Sequence, residues 1–464
     1  MNVLTNTKLF IPEDAQEIIE KLEKAGHSAY IVGGCVRDAV LGNTPHDYDL
    51  CTSATPEQMK EILKDHTTYD TGLKHGTITV AGNCDMYEVT TYRIDGEYED
   101  NRHPTSVQFV DKVELDLSRR DFTMNAMAYN HKSGLVDPYG GLVDIKNKLI
   151  RCVGNANDRF QEDALRILRA IRFASRFGFD IEAETEKAIH KNKHLLVNVS
   201  EERKTSEFCK ILCNADANLL MKYRDVFAEF IPEIKPMFDF NQRTRWHKYD
   251  VYAHTAHAVE HAPKDDLTVR LTMFFHDIGK PETFTQDEKG GHFYGHPLIS
   301  EEITEKVMRR MKFDNATLKS VLQLVENHDN RISVSEKGAR KLLRDYGEEQ
   351  ARRLLMVQEC DKSAQANIAE VQKGFDEIDS IRYYLDEAIK TNACCTLKDL
   401  AINGNDLINL GIKGVLIGKT LNKLLDIVIK CPARNEKETL LKMAPGIAKD
   451  IEAKINDALK DVLK

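Results

Sequence analysis

The sequence lacks the features that mark membrane, exported and disulfide-rich proteins. No apolar run in its 464 residues approaches the roughly 20 that a membrane-spanning helix requires. The initial stretch MNVLTNTKLFIPEDA lacks the basic segment and apolar core of an export signal. The ten cysteines form no C-x-x-C pair, and Cys394 and Cys395 are adjacent, which suits a disulfide framework poorly. We therefore expect a cytoplasmic, reduced setting and no membrane partner.

Positive charge is also scarce overall. The net charge of -9 excludes a protein that coats nucleic acid through a generally basic surface. Basic residues nevertheless concentrate at Arg119 and Arg120 and between Arg151 and Arg176. An uneven charge distribution of this kind can steer RNA to one face of an acidic protein.

The segment YIVGGCVRDAVLGNTPHDYDLCT, from Tyr30 to Thr52, has the layout of a phosphoryl-transfer site. Its apolar start predicts the end of a strand, and Gly33 and Gly34 leave backbone N–H groups bare for an anionic triphosphate. Arg37 then offers a guanidinium to phosphate. A Gly-Gly pair alone is more often an ordinary turn, so the prediction depends on the carboxylates that follow.

Three carboxylates predict a two-metal centre. In HDYDL, the alternation of an extended strand places Asp47 and Asp49 on one face. The run MYEVTTYR predicts a second strand that carries Glu88. Hard oxygen ligands suit Mg²⁺, with Asp47 and Asp49 as its ligands, and three convergent carboxylates can hold two such ions.

The segment EDALRILRAIRFASRF predicts a helix with a basic stripe. On a helical wheel Arg169, Arg172 and Arg176 share one narrow sector, with Arg166 and then Asp163 beside it. Cytosine and adenine both present an NH₂ group beside an acceptor ring nitrogen, so a carboxylate and a guanidinium side by side favour CTP and ATP together. The alternative is a surface ion pair worth about 0.3 to 0.5 kcal/mol.

Four ordered segments carry a family resemblance: GGCVRDAVLGNTPHDYDLCTSATP, YRIDGEYEDNRHPTSVQF, SRRDFTMNAMAY and EDALRILRAIRFASRFGF. They resemble the class II tRNA nucleotidyltransferases and bacterial poly(A) polymerases, of the polymerase β-like nucleotidyltransferase superfamily. The resemblance implies that Asp163 and Arg166 select the base, that Arg169 and Arg172 also contact the nucleotide, and that Arg120 contacts the triphosphate or ribose. The loop DGEYEDNRHPTS resembles the flexible loop of relatives that add the terminal A.

Histidines are concentrated in one part of the chain. His276 and Asp277, with an earlier His254, resemble the H…HD…D pattern of HD phosphohydrolases. The resemblance favours Asp361 as the final carboxylate over Asp329. His296 and His328 fit positions that accompany a second metal in fuller versions of the module. Imidazole with carboxylate suits Mn²⁺, Ni²⁺, Fe²⁺ or Zn²⁺ better than Mg²⁺, although a buried histidine is more often a hydrogen-bonded core residue.

Short β-like runs before residue 150 and helical periodicity after it predict an α+β protein of several domains. We predict a polymerase β-like nucleotidyltransferase head with a mixed sheet over 1–150 and an all-α neck for base selection and RNA binding over 151–235. An HD-type helical domain over 236–385 and a helical tail over 386–464, with a potential tRNA contact, complete the prediction.

The leading hypothesis is a template-independent enzyme that builds or repairs the 3′-terminal CCA of tRNA from CTP and ATP by two-metal phosphoryl transfer. The overlapping motifs leave open an A-adding enzyme or a poly(A) polymerase. Hypotheses of other classes are a protein that is chiefly an HD metal-dependent phosphohydrolase and a noncatalytic RNA-binding adaptor. The sequence indicates no oligomeric state.

Overall fold

The computed structural model describes residues 8–83, 85–96, 106–288, 290–391 and 393–462. The chain divides into two compact units. The first comprises Met1–Lys235 with Arg310–Phe313, and the second comprises Pro236–Arg309 with Asp314–Lys464. Most of the predicted loop DGEYEDNRHPTS lies outside the described residues. The four-part division of the chain stays a prediction.

The first unit is built on a mixed sheet with helices. Its strands are β1 (Ala29–Val32), β2 (Asp49–Thr52), β3 (Thr68–Gly72), β4 (Thr77–Ala81), β5 (Met86–Thr91), β6 (Arg93–Asp95), β7 (Val107–Phe109), β8 (Ala128–Asn130), β9 (Gly134–Val136), β10 (Leu149–Ile150) and β11 (Asp180–Ile181). Seven of them form one sheet in the order β3-β4-β5-β2-β1-β8-β9. Within this sheet β2 and β5 are parallel and the other neighbouring pairs are antiparallel.

The helices of this unit precede, join and follow the strands. They are α1 (Glu13–Lys24), α2 (Gly34–Val40), α3 (Pro56–Ile62), α4 (Val113–Ser118), α5 (Gly141–Lys146), α6 (Ala156–Glu162), α7 (Leu165–Phe177), α8 (Ala183–Asn192), α9 (Glu201–Leu212), α10 (Ala217–Lys222) and α11 (Arg224–Phe227). Short 3₁₀ helices cover Leu73–His75, Thr123–Asn125 and Lys193–Asn198. After β9 the chain is mainly helical, so the predicted α+β class with a mixed sheet is confirmed.

The predicted single helix through EDALRILRAIRFASRF is wrong in one respect. The chain is extended at Asp163 (φ -142°, ψ 103°), so α6 ends at Glu162 and α7 begins at Leu165. The Asp163 side chain accepts a hydrogen bond from the backbone N–H of Leu165 at 3.0 Å, which satisfies one of the open donors at the start of α7. Asp163 therefore precedes the helix that carries Arg166.

The second unit is helical apart from one short β-hairpin. Its elements are α12 (Val251–His261), α13 (Leu267–Phe275), α14 (Lys280–Thr283), β12 (Thr285–Asp287), β13 (Gly290–His292), α15 (His296–Arg310), α16 (Asn315–Asn327), α17 (Glu336–Ser363), α18 (Ala369–Lys390), α19 (Gly404–Asn409), α20 (Val415–Lys430) and α21 (Lys437–Val462). Further 3₁₀ helices cover Pro232–Met237, at the boundary of the two units, Leu397–Asp399 and Pro432–Arg434. Aspartates cap several of the helices, as Asp250 does for α12 and Asp266 for α13. No helix among the described residues is long and apolar enough to cross a membrane.

Candidate functional sites

The strand register of the first unit places two of the predicted carboxylates, Asp49 and Glu88, side by side on neighbouring strands of the sheet. Asp49 is the first residue of β2 and pairs with Val32 of β1, while Leu50 pairs with Val89 of the parallel strand β5. This register places Asp49 opposite Glu88. Asp47 precedes the strand that the sequence predicted for it, but the alternation holds: Asp47, Asp49 and Glu88 are exposed, and their neighbours Tyr48, Leu50, Tyr87 and Val89 are buried.

The carboxylates have the charge properties of a metal site. Partial burial raises the pKa of the Asp49 carboxyl; Arg120 opposes this, and the charges of Glu88 and Asp47 add to it. A divalent cation would relieve that repulsion, so the donor set fits Mg²⁺. Of the ligand groups in the described residues that gather within 4.8 Å of one another, none contains these three carboxylates. Their oxygens are therefore more widely spaced than those of the histidine cluster described below.

Gly33 forms a close contact with Arg120. Its backbone has φ +81°, which favours glycine, and an added Cβ would lie 2.7 Å from Nη1 of Arg120. Nη2 of Arg120 lies 3.4 Å from Oδ2 of Asp116. The predicted triphosphate-binding arginine thus lies against the predicted triphosphate-binding turn.

Arg37 has a different environment from the one expected. Only 5% of the residue is exposed, and its guanidinium donates to Asp38 at 2.8 Å and to Asn125 at 2.7 Å. It also lies over the rings of Phe173 and Phe177, at 5.2 and 5.1 Å from their centroids. Burial lowers its pKa. These contacts tie α2 to α7, and a direct role of Arg37 in binding phosphate stays a prediction.

Arg169 is paired with Asp121. Nη2 of Arg169 lies 2.6 Å from Oδ2 of Asp121, and Nε donates to the same oxygen at 2.8 Å. Asn125 donates to the other carboxylate oxygen at 3.0 Å. Burial alone would raise the pKa of Asp121, but the charge of Arg169, the Asn125 hydrogen bond and the charge of Arg166 lower it to about 2.

The two residues predicted to select the base are held by different partners. Oδ2 of Asp163 accepts from Arg203 at 2.8 Å. Arg166 donates to Glu162 at 2.6 Å and to the backbone carbonyl of Arg119 at 2.9 Å. Neither of these contacts is the ion pair between Asp163 and Arg166 that the sequence left as an alternative.

Helix α9 supplies residues that sequence reasoning missed. Arg203 holds Asp163, and one turn later the buried Glu207 accepts from Arg172 at 3.1 Å. Burial lowers the pKa of Arg172, although Glu207 opposes this. The spacing of Arg203 and Glu207 by four residues was a usable signal, because it places both on one face of α9.

In the second unit the predicted histidine and aspartate residues converge. Nε2 of His254 lies 2.9 Å from Asp361 and 3.5 Å from Asp277, and Nε2 of His276 lies 3.2 Å from Asp277. On the other oxygen of Asp277, Nε2 of His296 lies at 3.4 Å and Nε2 of His328 at 3.9 Å. Two buried groups of potential metal ligands, each within 4.8 Å, therefore share Asp277.

The backbone orients these imidazoles inward. Nδ1 of His276 lies 2.7 Å from the carbonyl oxygen of Met273, and Nδ1 of His328 lies 2.7 Å from that of Val325. Nδ1 of His296 makes the same kind of contact with Phe293 at 2.9 Å. These contacts leave each Nε2 available for the centre, which is the arrangement of metal-binding histidines.

The electrostatics of the cluster fit a cation. Burial alone would raise the pKa of Asp277, but His276 and Lys280 hold it well below its usual range. Burial opposes protonation of His276, yet Asp277 and Asp361 raise its pKa to about 10, so a metal ion bound there would displace a proton. Asp361, and not the competing Asp329, contacts His254. The residues present therefore fit a metal centre.

Three family models match the chain in order. The "Poly A polymerase head domain" matches 29–151, the "Probable RNA and SrmB- binding site of polymerase A" matches 178–238, and tRNA nucleotidyltransferase domain 2 matches 296–444. Together the matches cover more than half of the chain.

Curated relatives and a solved structure agree with these models. The CCA-adding enzyme of Listeria monocytogenes serotype 4a (strain HCC23) is 47% identical over 225 residues, which are 48% of this chain and 56% of the relative. That of Ligilactobacillus salivarius (strain UCC118) is 43% identical over 243 residues, 50% of this chain and 60% of the relative. The chain thus spans little more than half the length of the curated relatives it matches.

A crystal structure of the Bacillus stearothermophilus CCA-adding enzyme in complex with CTP is similar over the whole fold. It has a TM-score of 0.72 and 27% identity, and the match covers 96% of this chain and all of that one. With the head, the RNA-binding segment and the second tRNA nucleotidyltransferase domain matched in order, the chain belongs to the family of poly(A) polymerases and tRNA nucleotidyltransferases.

Proposed function

We propose that this protein is a template-independent tRNA nucleotidyltransferase that builds or repairs the 3′-terminal CCA from CTP and ATP. The observation that carries the proposal is the strand register that sets Asp49 opposite Glu88, next to the turn at Gly33. Curated relatives of the matching region are CCA-adding enzymes, and the similar Bacillus stearothermophilus structure is one in complex with CTP. These similarities support tRNA as the substrate.

Each predicted residue then has a chemical task. Asp47 and Asp49 would hold Mg²⁺, with Glu88 as the third carboxylate. Bound Mg²⁺ would supply activation of the primer 3′-hydroxyl and neutralise the leaving pyrophosphate. Arg120 and the backbone N–H groups at Gly33 and Gly34 would bind the triphosphate.

Asp163 and Arg166, at the start of α7, would select the base. The Asp163 carboxylate would accept from the NH₂ group of cytosine or adenine, and Arg166 would donate to the neighbouring ring nitrogen. UTP and GTP present the opposite pattern and would leave both charged groups unpaired, which a polar site rejects strongly. Arg169 and Arg172 would add contacts from the same helix.

The test is nucleotide incorporation into tRNAs that end before the first C, after CC, and after CCA, with each nucleoside triphosphate supplied alone and in combination. We expect two C additions and one A addition, and no extension of the complete end. Addition of A alone to the CC-ended tRNA would indicate an A-adding enzyme, and a long A tail would indicate a poly(A) polymerase. Failure to incorporate labelled CTP or ATP would support the noncatalytic adaptor.

The base-selection assignment has its own test. Asp163→Ala should relax the preference for CTP and ATP over UTP and GTP. Incorporation of CTP should continue, because the substitution leaves the proposed metal site of Asp47, Asp49 and Glu88 unchanged. Full discrimination against UTP and GTP in this variant would refute the assignment.

A second function is favoured by the histidine cluster. We propose that the second unit is a metal-dependent phosphohydrolase of the HD type, because two buried ligand groups share the Asp277 carboxylate. The metal ligands would be His254, His276, Asp277 and Asp361, with His296 and His328 at the second position. A bound transition metal such as Mn²⁺, Ni²⁺, Fe²⁺ or Zn²⁺ would supply activation of water for attack on a phosphoester.

Asp277→Asn tests this second proposal directly. Loss of the shared carboxylate should lower the number of Mn²⁺ ions bound in calorimetry, because only the carboxylates of the first unit would still bind the ion. It should also abolish metal-dependent release of p-nitrophenol from p-nitrophenyl phosphate. The matched control is Asp265→Asn, since Asp265 is an exposed carboxylate of the same unit. CCA addition should persist in both variants, and unchanged Mn²⁺ binding in Asp277→Asn would contradict the proposed centre.

A further inference from the structure

A cavity of about 540 Å³ opens over the histidine cluster. Its floor includes four of the polar residues discussed above: Lys280, His296, His328 and Asp361. Its size lies within the range of pockets that take small-molecule ligands. A ligand in this cavity would lie beside the proposed metal centre.

Two exposed aromatic side chains line this cavity. Trp246, the only tryptophan of the chain, is 37% exposed, and the guanidinium carbon of Arg245 lies 4.7 Å from its ring centroid. Tyr294 is 78% exposed and stacks on His292, with ring centroids 5.2 Å apart and an interplanar angle of 12°. The two residues come from different segments, so the apolar lining is not a feature of one loop alone.

Backbone contacts fix this lining in place. The N–H of Ala366 donates to the carbonyl oxygen of Trp246 at 2.8 Å, just beyond the end of the helix that carries Asp361. The N–H of Gly291 donates to the carbonyl oxygen of Arg243 at 2.9 Å. A Cβ added at Gly291 would lie 2.3 Å from the carbonyl oxygen of Gln242. The Gly290–Gly291 pair, at the start of strand β13, therefore packs against the backbone of Gln242 and Arg243, a few residues before Trp246.

Two cationic side chains are among the residues that line the cavity, Lys280 in its floor and Arg245 beside Trp246. Nζ of Lys280 lies 2.7 Å from Asp277 and donates to Gln242 at 2.9 Å. Arg245 pairs with Glu370 at 2.9 Å, and both groups are exposed, so the guanidinium can exchange this partner at little cost. The cavity thus combines flat aromatic surfaces, cations and a proposed metal floor.

We propose that this cavity binds a nucleoside phosphate, with the base against Trp246 and Tyr294 and the phosphate over the Asp277 cluster. The proposal rests on the phosphohydrolase function proposed above and names its substrate class. An aromatic ring offers any base a stacking surface, and the cations offset the phosphate charge. A small phosphoester without a base would fill only the floor. The ligand is a free nucleoside monophosphate or the terminal nucleotide of an RNA, which share this chemistry.

The single tryptophan makes the binding test specific. Fluorescence of the full-length protein with Mn²⁺ is excited at a wavelength selective for Trp246, and absorption by the ligands is corrected with free N-acetyltryptophanamide. AMP and CMP should quench Trp246 saturably, whereas ribose 5-phosphate and inorganic phosphate should not. Equal responses to AMP and ribose 5-phosphate, or no response to any nucleotide, would overturn the proposal.

Tyr294→Ala tests the second aromatic surface. Loss of one stacking partner should weaken AMP binding roughly 5-fold or more. The matched control is Tyr383→Ala, because Tyr383 is 63% exposed and lies in the same unit but does not line the cavity. Identical AMP affinity in the Tyr294→Ala variant and the wild type would refute the role of Tyr294. Quenching of Trp246 by AMP should also persist in Asp49→Ala. This variant disrupts the proposed transferase site, so persistence would show that nucleotide bound at that site does not cause the quenching.

Further measurements distinguish a free nucleotide from an RNA end as the ligand, and distinguish failure of the nucleotide-binding proposal from failure of the phosphohydrolase proposal. Quenching by a short oligonucleotide with a 3′-phosphate at lower concentrations than AMP indicates an RNA end, and the reverse order indicates a free nucleotide. Nucleotide binding without any metal-dependent hydrolysis would remove the phosphohydrolase function and leave the binding site. Hydrolysis of p-nitrophenyl phosphate without nucleotide binding would remove this inference and leave the phosphohydrolase.

Discussion

Asp121 provides a quantitative test of the charge network around α7. Its carboxylate is buried and lies 2.6 Å from Arg169, and the surroundings lower its pKa from 3.8 to about 2. At about 1.4 kcal/mol for each pKa unit, this difference corresponds to about 2 kcal/mol of stability when the carboxyl is charged. Asp121→Asn should destabilise the first unit by at least this amount at pH 7, because it also leaves the Arg169 charge without its partner.

The sign and pH range of the effect follow from linkage. A carboxyl whose pKa is lower in the folded state stabilises the protein above its unfolded pKa, and this stability is lost as the pH falls through the folded pKa. The contribution of this pKa shift to the stability difference between wild type and Asp121→Asn should therefore fall from about 2 kcal/mol at pH 7 to about 1 kcal/mol at pH 3.

Hydrogen exchange can measure this difference in the correct unit. Mass spectrometry of α7 peptides reports the first unit, while Trp246 fluorescence reports the second and serves as an internal control. Asp111→Asn is the matched variant, since Asp111 is exposed and its loss should leave exchange in α7 unchanged at both pH values. Equal protection of α7 in wild type and Asp121→Asn at pH 7 would refute the reasoning.

Three further substitutions test particular contacts. Gly33→Ala combines an unfavourable φ of +81° with a Cβ 2.7 Å from Arg120, so it should raise the KM for CTP several-fold with little loss of helical circular dichroism. Arg203→Met removes one of two contacts on the Asp163 carboxylate and should partly relax discrimination against UTP, measured as the ratio of kcat/KM values; an unchanged ratio would exclude a positioning role. Gly291→Ala should displace the β12–β13 hairpin and shift the Trp246 emission maximum, and an unshifted spectrum would contradict the close backbone contact.

The shared face of Asp47 and Asp49 could be predicted from the sequence, because the alternation of side chains along a strand is a local property. Tyr48 and Leu50 point away from the face of Asp47 and Asp49 whether or not the neighbouring strands are known. The position of Glu88 opposite Asp49 depends on the pairing of β2 with β5, which the pattern of neither strand specifies. The sequence predicted only that Glu88 lies on a second strand.

The partners of the charged residues could not be predicted in the same way. Arg203 is 40 positions from Asp163, and Glu207 is 35 from Arg172, so neither contact leaves a local pattern around the residue that it holds. The break at Asp163 was missed for another reason. Helical spacing continues through it, and the sequence gives no proline or glycine to mark the end of α6.

The residues of the histidine cluster could be named from the sequence by the resemblance to a known motif, but the lining of the adjacent cavity could not. His254 and Asp361 are 107 positions apart, yet the resemblance to the H…HD…D pattern named both, and the structure places His254 Nε2 2.9 Å from Asp361. The role of Asp361 as a metal ligand stays a prediction. The lining of the adjacent cavity was not found, because Trp246 and Tyr294 belong to no motif and become neighbours of the centre only through backbone contacts.

The pairing of the predicted nucleotide-binding charges has a consequence for specificity. Each has a partner of opposite charge in the first unit: Arg37 with Asp38, Arg120 with Asp116, Asp163 with Arg203, Arg166 with Glu162, Arg169 with Asp121 and Arg172 with Glu207. The pairs do not use every donor. Buried Nε atoms of Arg120 and Arg172 and Nη1 of Arg203 have no hydrogen-bond partner among the described residues.

Unpaired buried donors cost free energy that a correctly placed acceptor would recover, about 1 to 3 kcal/mol for each group. A nucleotide that completes these hydrogen bonds without breaking the ion pairs gains this energy at little cost. One that forces an arginine away from its carboxylate exposes a buried charge and loses several kcal/mol instead. Discrimination would then depend on the partners from α9 as much as on Asp163 and Arg166, which is why Arg203→Met, which releases the Asp163 carboxylate, is expected to change the CTP to UTP ratio.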